Sequence, residues 1–215
     1  MTMRRAAATF AAPMLLLLLF PTLVLTAAPA RAQEAGVVNR IKNSAQAVRQ
    51  GRGVPLSPGS AVLVGDELVT GPQARLAVRF TDGTLLTLGE DTRIVVDEYV
   101  YGRDNSMILE LAEGAFRVIS GEVARLNPDK FALKTPLASI GIRGTDFWGE
   151  IQSCGALEVL LINGTAVTVT NVGGTVTLTD PGVGITVGSK DRIPMLPKEW
   201  SQEKKARALS SVAFD

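Results

Sequence analysis

ARLAVRFTDGTLLTL, residues 74–88, decides the fold class. Leu76, Val78 and Phe80 alternate with Ala77 and Arg79, and Leu86 and Leu88 flank Thr87, so both arms carry the two-residue period of a half-buried strand. Asp82-Gly83 lies between them, and this dipeptide accepts the positive φ that a right-twisted pair of strands requires. The stretch therefore predicts a β-hairpin. Downstream, LEVLLI, Asn163-Gly164 and TAVTVT repeat the same design over 157–170. RIVVDEYVY, SMILELA, AFRVIS, KFALKT, GTVTLTD and PGVGITV supply further runs of the same character.

No helical period is sustained between Val54 and Val187, so residues 53–190 are predicted to be an all-β domain. GTLLTL (83–88), GTAVTV (164–169) and GVGITV (182–187) echo one another at unequal intervals. That echo fits a solenoid-like β-roll, and a two-sheet sandwich of short strands produces the same text.

The ends read differently. Residues 1–32 hold Arg4 and Arg5, an apolar run through Leu15–Leu19 and the small-residue site Ala30-Arg31-Ala32, the pattern of a secretory signal peptide cleaved to give Gln33. The expected location is periplasmic or secreted, with no membrane span after cleavage. Residues 33–52 read as an N-terminal lead-in. Residues 191–215 include PKEWSQEKKARALSSVAFD, charged and helix-favouring, and form a C-terminal helix docked through Trp200, Leu209 and Val212 or a mobile tail.

Composition removes several function classes. Removing the leader leaves 19 basic against 21 acidic side chains, a net charge of −2, so nothing neutralises a nucleic-acid backbone, and polybasic attachment to anionic lipid is not expected either. Histidine is absent, which excludes Ser-His-Asp and Cys-His nucleophile pairs and the commonest metal ligand. Cys154 is the one cysteine and reads as a small buried residue. Asp82, Glu90, Asp91, Asp97, Glu98, Glu110 and Glu113 read as turns and solvated faces rather than an acid/base pair. An outer-membrane barrel would need aromatic girdles, and aromatic residues make up 5% of the chain. No catalytic residue, cofactor or metal site is predicted.

The candidate recognition site is TPLASIGIRGTDF, 135–147, with Trp148. Thr135 precedes Pro136 and must be extended, ending a strand. Gly141 and Gly144 permit positive φ or close backbone approach at a corner. Arg143 is expected to bond carbonyls or pair with Asp146 near Thr145, while Phe147 and Trp148 present apolar surface on opposite faces of the next strand.

GDELVTGPQARLAVRFTDGTLLTLGEDTRIVV, LELAEGAFRV, FALKTPLASIGIRGTDFWGEI and LEVLLINGTAVTVTN, in this order over residues 53–173, resemble the FecR domain family of bacterial envelope proteins. The resemblance implies an all-β, solenoid-like domain without common catalytic residues that receives a signal in the periplasm. The namesake regulators add a cytoplasmic anti-sigma segment and a transmembrane helix; here a leader comes first, and only the receiving or scaffolding role carries over. The implied partner is an envelope protein. A glycan is the alternative, favoured if Trp148, Tyr99 or Tyr101 is exposed over a groove.

Overall fold

In the computed structural model, residues 33–214 are described; the leader reading of residues 1–32 lies outside them. The predicted hairpin is present. Strands β1 to β6 span Glu34–Lys42, Ala45–Arg49, Arg52–Pro55, Ala61–Leu63, Glu67–Thr70 and Arg75–Phe80, and β7 spans Leu85–Leu88. β6 and β7 pair antiparallel from Leu76 with Leu88 to Arg79 with Leu85. Gly83 takes φ +86 in the connecting turn, and Leu76, Val78, Phe80, Leu86 and Leu88 are buried.

The lead-in is part of the domain. β1 pairs with β4 and β6, and β2 pairs with β3 and β5, so the sheet begins at Glu34 rather than at residue 53. Its inward residues include Ala35, Ala45 and Ala47, small side chains that give hydrophobic alternation little contrast.

The remaining elements are β8 (Arg93–Val100), β9 (Ser106–Ile119), the short helix α1 (Glu122–Leu126), β10 (Phe131–Lys134), β11 (Ser139–Ile151), β12 (Leu157–Asn171), β13 (Gly174–Leu178), β14 (Val183–Val187), β15 (Lys198–Glu199) and helix α2 (Gln202–Ser210). Three of these strands are long where the sequence reads as short runs. SMILELA and AFRVIS are one strand, β9, and Asn163-Gly164 lies inside β12 instead of turning a hairpin. Each long strand carries one glycine with positive φ: Gly114 at φ +89 in β9, Gly144 at φ +54 in β11 and Gly164 at φ +115 in β12.

These glycines mark where the strands bend and change partners. β9 pairs with β8 and β10 up to Glu113, then with β7 and β11. The bend in β12 follows from chain geometry. Its 15 residues would span about 46 Å if straight. Leu157 pairs with Val187, however, and the Val172 amide donates to the Lys190 carbonyl at 3.1 Å, while Val187 and Lys190 are joined by three residues reaching about 10 Å. The two ends of β12 are therefore within about 25 Å. One continuous fifteen-stranded sheet wraps over its own core in this way, an all-β roll with a short C-terminal helix.

The interior is apolar throughout, with Phe116 and Phe147 meeting edge to face at 5.6 Å. A second cluster forms on the outer face of the roll. Trp148, fully buried, meets Trp200 edge to face at 5.9 Å, with Ala115, Leu160, Ala208 and Val212 around them. α2 starts where the Ser201 hydroxyl accepts from the Lys204 amide, and it lies over this cluster. Gly184 is required there, because a Cβ would come within 2.4 Å of the Trp200 ring.

Candidate functional site

The 135–148 segment forms a turn, a strand and a corner. At the turn, Thr135 Oγ1 accepts from the amides of Leu137 (3.2 Å) and Ala138 (3.1 Å), and the Thr135 amide donates to the Ala138 carbonyl at 2.9 Å. Pro136 fits this turn, which returns the chain from β10 into β11. Gly141 is not crowded: a Cβ there would meet one neighbour, the Phe131 carbonyl, at 4.0 Å. Its missing side chain instead leaves the floor of a shallow concavity of ≈ 370 Å³ bordered by Ser139, Arg143, Thr168 and Thr170.

The corner itself is built from backbone. Gly144 takes the left-handed conformation with open space where a Cβ would lie. The close approach is made by Gly164, the cross-strand partner of Thr145, whose Cβ would lie 2.4 Å from the Gly144 carbonyl oxygen and 2.7 Å from Thr145 Cα. Thr145 is buried; its amide donates to Ser120 Oγ at 2.8 Å, and its hydroxyl lies 2.8 Å from each of the Arg143 and Ala166 carbonyls. The hydroxyl proton is thus committed to main-chain acceptors, and no base adjoins it.

Arg143 does not pin this corner. Its side chain is exposed and makes no hydrogen bond or ion pair among the described residues. The partner of Asp146 is Arg117 of β9, in a two-pronged contact: Nε to Oδ1 at 2.8 Å and Nη2 to Oδ2 at 2.7 Å. The hydrogen bonds that Arg117 donates to the Asp146 carboxylate raise the Arg117 pKa. Sequence reasoning misses Arg117, Ser120 and Gly164, since each reaches the corner only through the pairing of β9 and β12 with β11. Phe147 and Trp148 do face opposite sides, and both are fully buried because the roll interior receives one and α2 covers the other.

Other sequence expectations are corrected. Asp82 is 3% exposed rather than solvated. It accepts from the Thr84 amide (3.1 Å) and hydroxyl (2.8 Å), the Val123 amide (3.1 Å) and the Tyr99 hydroxyl (3.3 Å), tying α1 to the β6–β7 turn. Burial pushes the Tyr99 phenol up to about 12. Cys154 is exposed in a turn rather than buried. Tyr99 and Trp148 are enclosed, so neither offers a stacking surface to a sugar; Tyr101 is 42% exposed.

Two carboxylates do come together beneath α2. Gln152 Nε2 donates to Glu150 Oε2 at 2.8 Å and to Glu158 Oε2 at 3.0 Å, and Glu158 is ion-paired with Lys204 and Arg207 of α2. Burial raises the Glu150 pKa. Glu158 fastens the helix, and Glu150 is joined to it through Gln152. Among the described residues no group of three or more acidic or cysteine side chains is placed to hold a metal ion, and no helix is long and apolar enough to cross a membrane.

The fold and this corner define an all-β domain organised around a bent-strand RGT corner. Residues 66–167, just under half of the chain, match the family described as FecR protein, and that match runs from Asp66, just before β5, into β12. Two crystal structures of a Parabacteroides distasonis protein proposed to be an anti-sigma factor share the fold. One superposes with TM-score 0.52 at 20% identity over 66% of this chain and 64% of that chain, the other with TM-score 0.52 at 21% identity over 66% and 63%. The chain thus spans less than two thirds of the length of these neighbours. No curated protein matches it.

Proposed function

We propose that this protein is an exported, non-enzymatic FecR-domain module that receives a signal from, or scaffolds, a protein partner in the periplasm. The FecR match and the fold shared with a protein proposed to be an anti-sigma factor support a signal-regulating role. The observation that carries partner binding is the free edge of β13. This strand pairs with β12 alone among the described strands, and Thr175 and Thr177 are exposed on it. An unpaired edge carries backbone donors and acceptors that an extended segment of another protein satisfies by strand addition.

The test is a photo-crosslinking residue placed at Thr175 or Thr177 in the producing cell, followed by purification and mass spectrometry. A specific envelope protein attached at these positions is the expected result. Attached glycan, or no protein beyond that captured from a site on the opposite side of the roll, overturns the proposal.

A further inference from the structure

The loop 188–197, between β14 and β15, holds apolar side chains out in solvent. Its backbone is firmly tied to the roll. Asn171 Nδ2 donates to the carbonyls of Ser189 (3.0 Å) and Arg192 (2.7 Å), the Val172 amide donates to Lys190 (3.1 Å), and the Met195 amide donates to Thr186 (3.1 Å). Pro194 is buried, and the loop backbone lies so close to the β12–β13 turn that a Cβ on Gly173 would fall 2.3 Å from Arg192. Despite this, Val172 is 83% exposed, Ile193 61%, Met195 58% and Leu196 85%. A loop serving as connection alone gains by turning such side chains inward; here fixed backbone and two prolines, Pro194 and Pro197, display them.

The charges around this apolar tip identify its counterpart. Lys190, Arg192 and Lys198 are exposed, and none forms an ion pair among the described residues. Asp191 is the one acid between them, since Glu199 faces Lys205 at 3.4 Å. Exposed apolar side chains on a tied-down loop, flanked along the chain by unpaired cations, match the boundary of an anionic bilayer, where headgroup phosphates lie above acyl chains. We infer that loop 188–197 with Val172 docks the domain on an anionic phospholipid surface. The apolar tip enters the headgroup boundary and the three cations meet lipid phosphates. The chain as a whole has no basic excess, so the attraction is local to this loop. The inference is independent of the partner at β13.

Residues 32–215 form a compact unit of their own, so residues 33–215 can be tested without the apolar leader, which would itself bind lipid. The measurement is co-sedimentation with vesicles of phosphatidylcholine alone and of phosphatidylcholine with phosphatidylglycerol in equal parts. Binding to the anionic vesicles that weakens with added salt is expected. Lys190→Gln and Arg192→Gln should each weaken it about fivefold, and Ile193→Ser and Leu196→Ser about tenfold or more each, all with unchanged circular dichroism. Failure to sediment, or equal binding by the variants, overturns the inference. So does a dimer in sedimentation velocity that Leu196→Ser dissolves, which would make a second copy the occupant of this surface.

Discussion

Gly144 and Gly164 lie on adjacent strands at the corner, Gly164 opposite Thr145, and replacing each by alanine should have unequal costs. At Gly144, φ is +54 and the added methyl enters open space. The cost is then that of one L-residue in the left-handed region, about 1 to 2 kcal/mol. At Gly164, φ of +115 lies beyond the small left-handed basin, and the methyl would stand 2.4 Å from the Gly144 carbonyl oxygen. A backbone atom cannot rotate away, so strands β11 and β12 must separate locally. Backbone strain and overpacking each contribute about 1 to 3 kcal/mol, giving roughly 2 to 6 kcal/mol together, with a central value near 4 kcal/mol. For a domain of this size 1 kcal/mol is about 2 to 4 °C in melting temperature. Thermal unfolding followed by circular dichroism should therefore show a loss of about 2 to 8 °C for Gly144→Ala and, at the central value of about 4 kcal/mol, about 8 to 16 °C for Gly164→Ala. Equal losses, or a larger one at Gly144, would refute the assignment of the close approach to Gly164.

Arg117→Ala should destabilise the domain by about 1 to 2 kcal/mol in urea unfolding, because it strands the part-buried Asp146 carboxylate. Arg143→Ala should lie within about 0.5 kcal/mol of the parent, since this exposed side chain has no partner to lose; matching losses would restore Arg143 as the corner's pin. Glu150→Gln should raise the melting temperature near neutral pH. The folded chain holds the Glu150 proton more tightly than the unfolded chain does, so stability falls as pH rises from the ordinary value of 4.5 through the raised folded pKa. The gain should therefore vanish below the ordinary value, and a gain that persists at acid pH would contradict burial as its cause.

Alternation made the hairpin at 74–88 legible because one face of each strand is buried and the other is wet. The same rule fails where both faces are covered: Leu157, Val159, Leu160 and Leu161 are all buried, since α2 covers one side and the roll interior the other. Asn163-Gly164 has the chemistry of a hairpin turn, yet β11 pairs with β12 on both sides of it, and the ladder carries the strand through as a bulge. Asp82 looked solvated because acidic turns usually are. Its burial depends on α1, packed there from forty residues downstream, which a local reading has no means to see. Arg143 and Arg117 differ for the same reason: sequence proximity to Asp146 favours the first, and strand register selects the second.

The covering of Trp148 by α2 also sets an order of assembly. Trp148 Nε1 donates to Ser211 Oγ at 3.0 Å, a contact between residues 63 positions apart, and Glu158 waits for Lys204 and Arg207 in the same way. During synthesis from the N-terminus, β11 and β12 are complete while the residues that dry their outer face have not yet been made. Until α2 has been made, the tryptophan is an open apolar face on strands already synthesised, so closure follows the making of β11 and β12. A chain cut short before residue 200 would keep its FecR strands and lose the cover, making it prone to self-association through the very surface that the intact protein never shows.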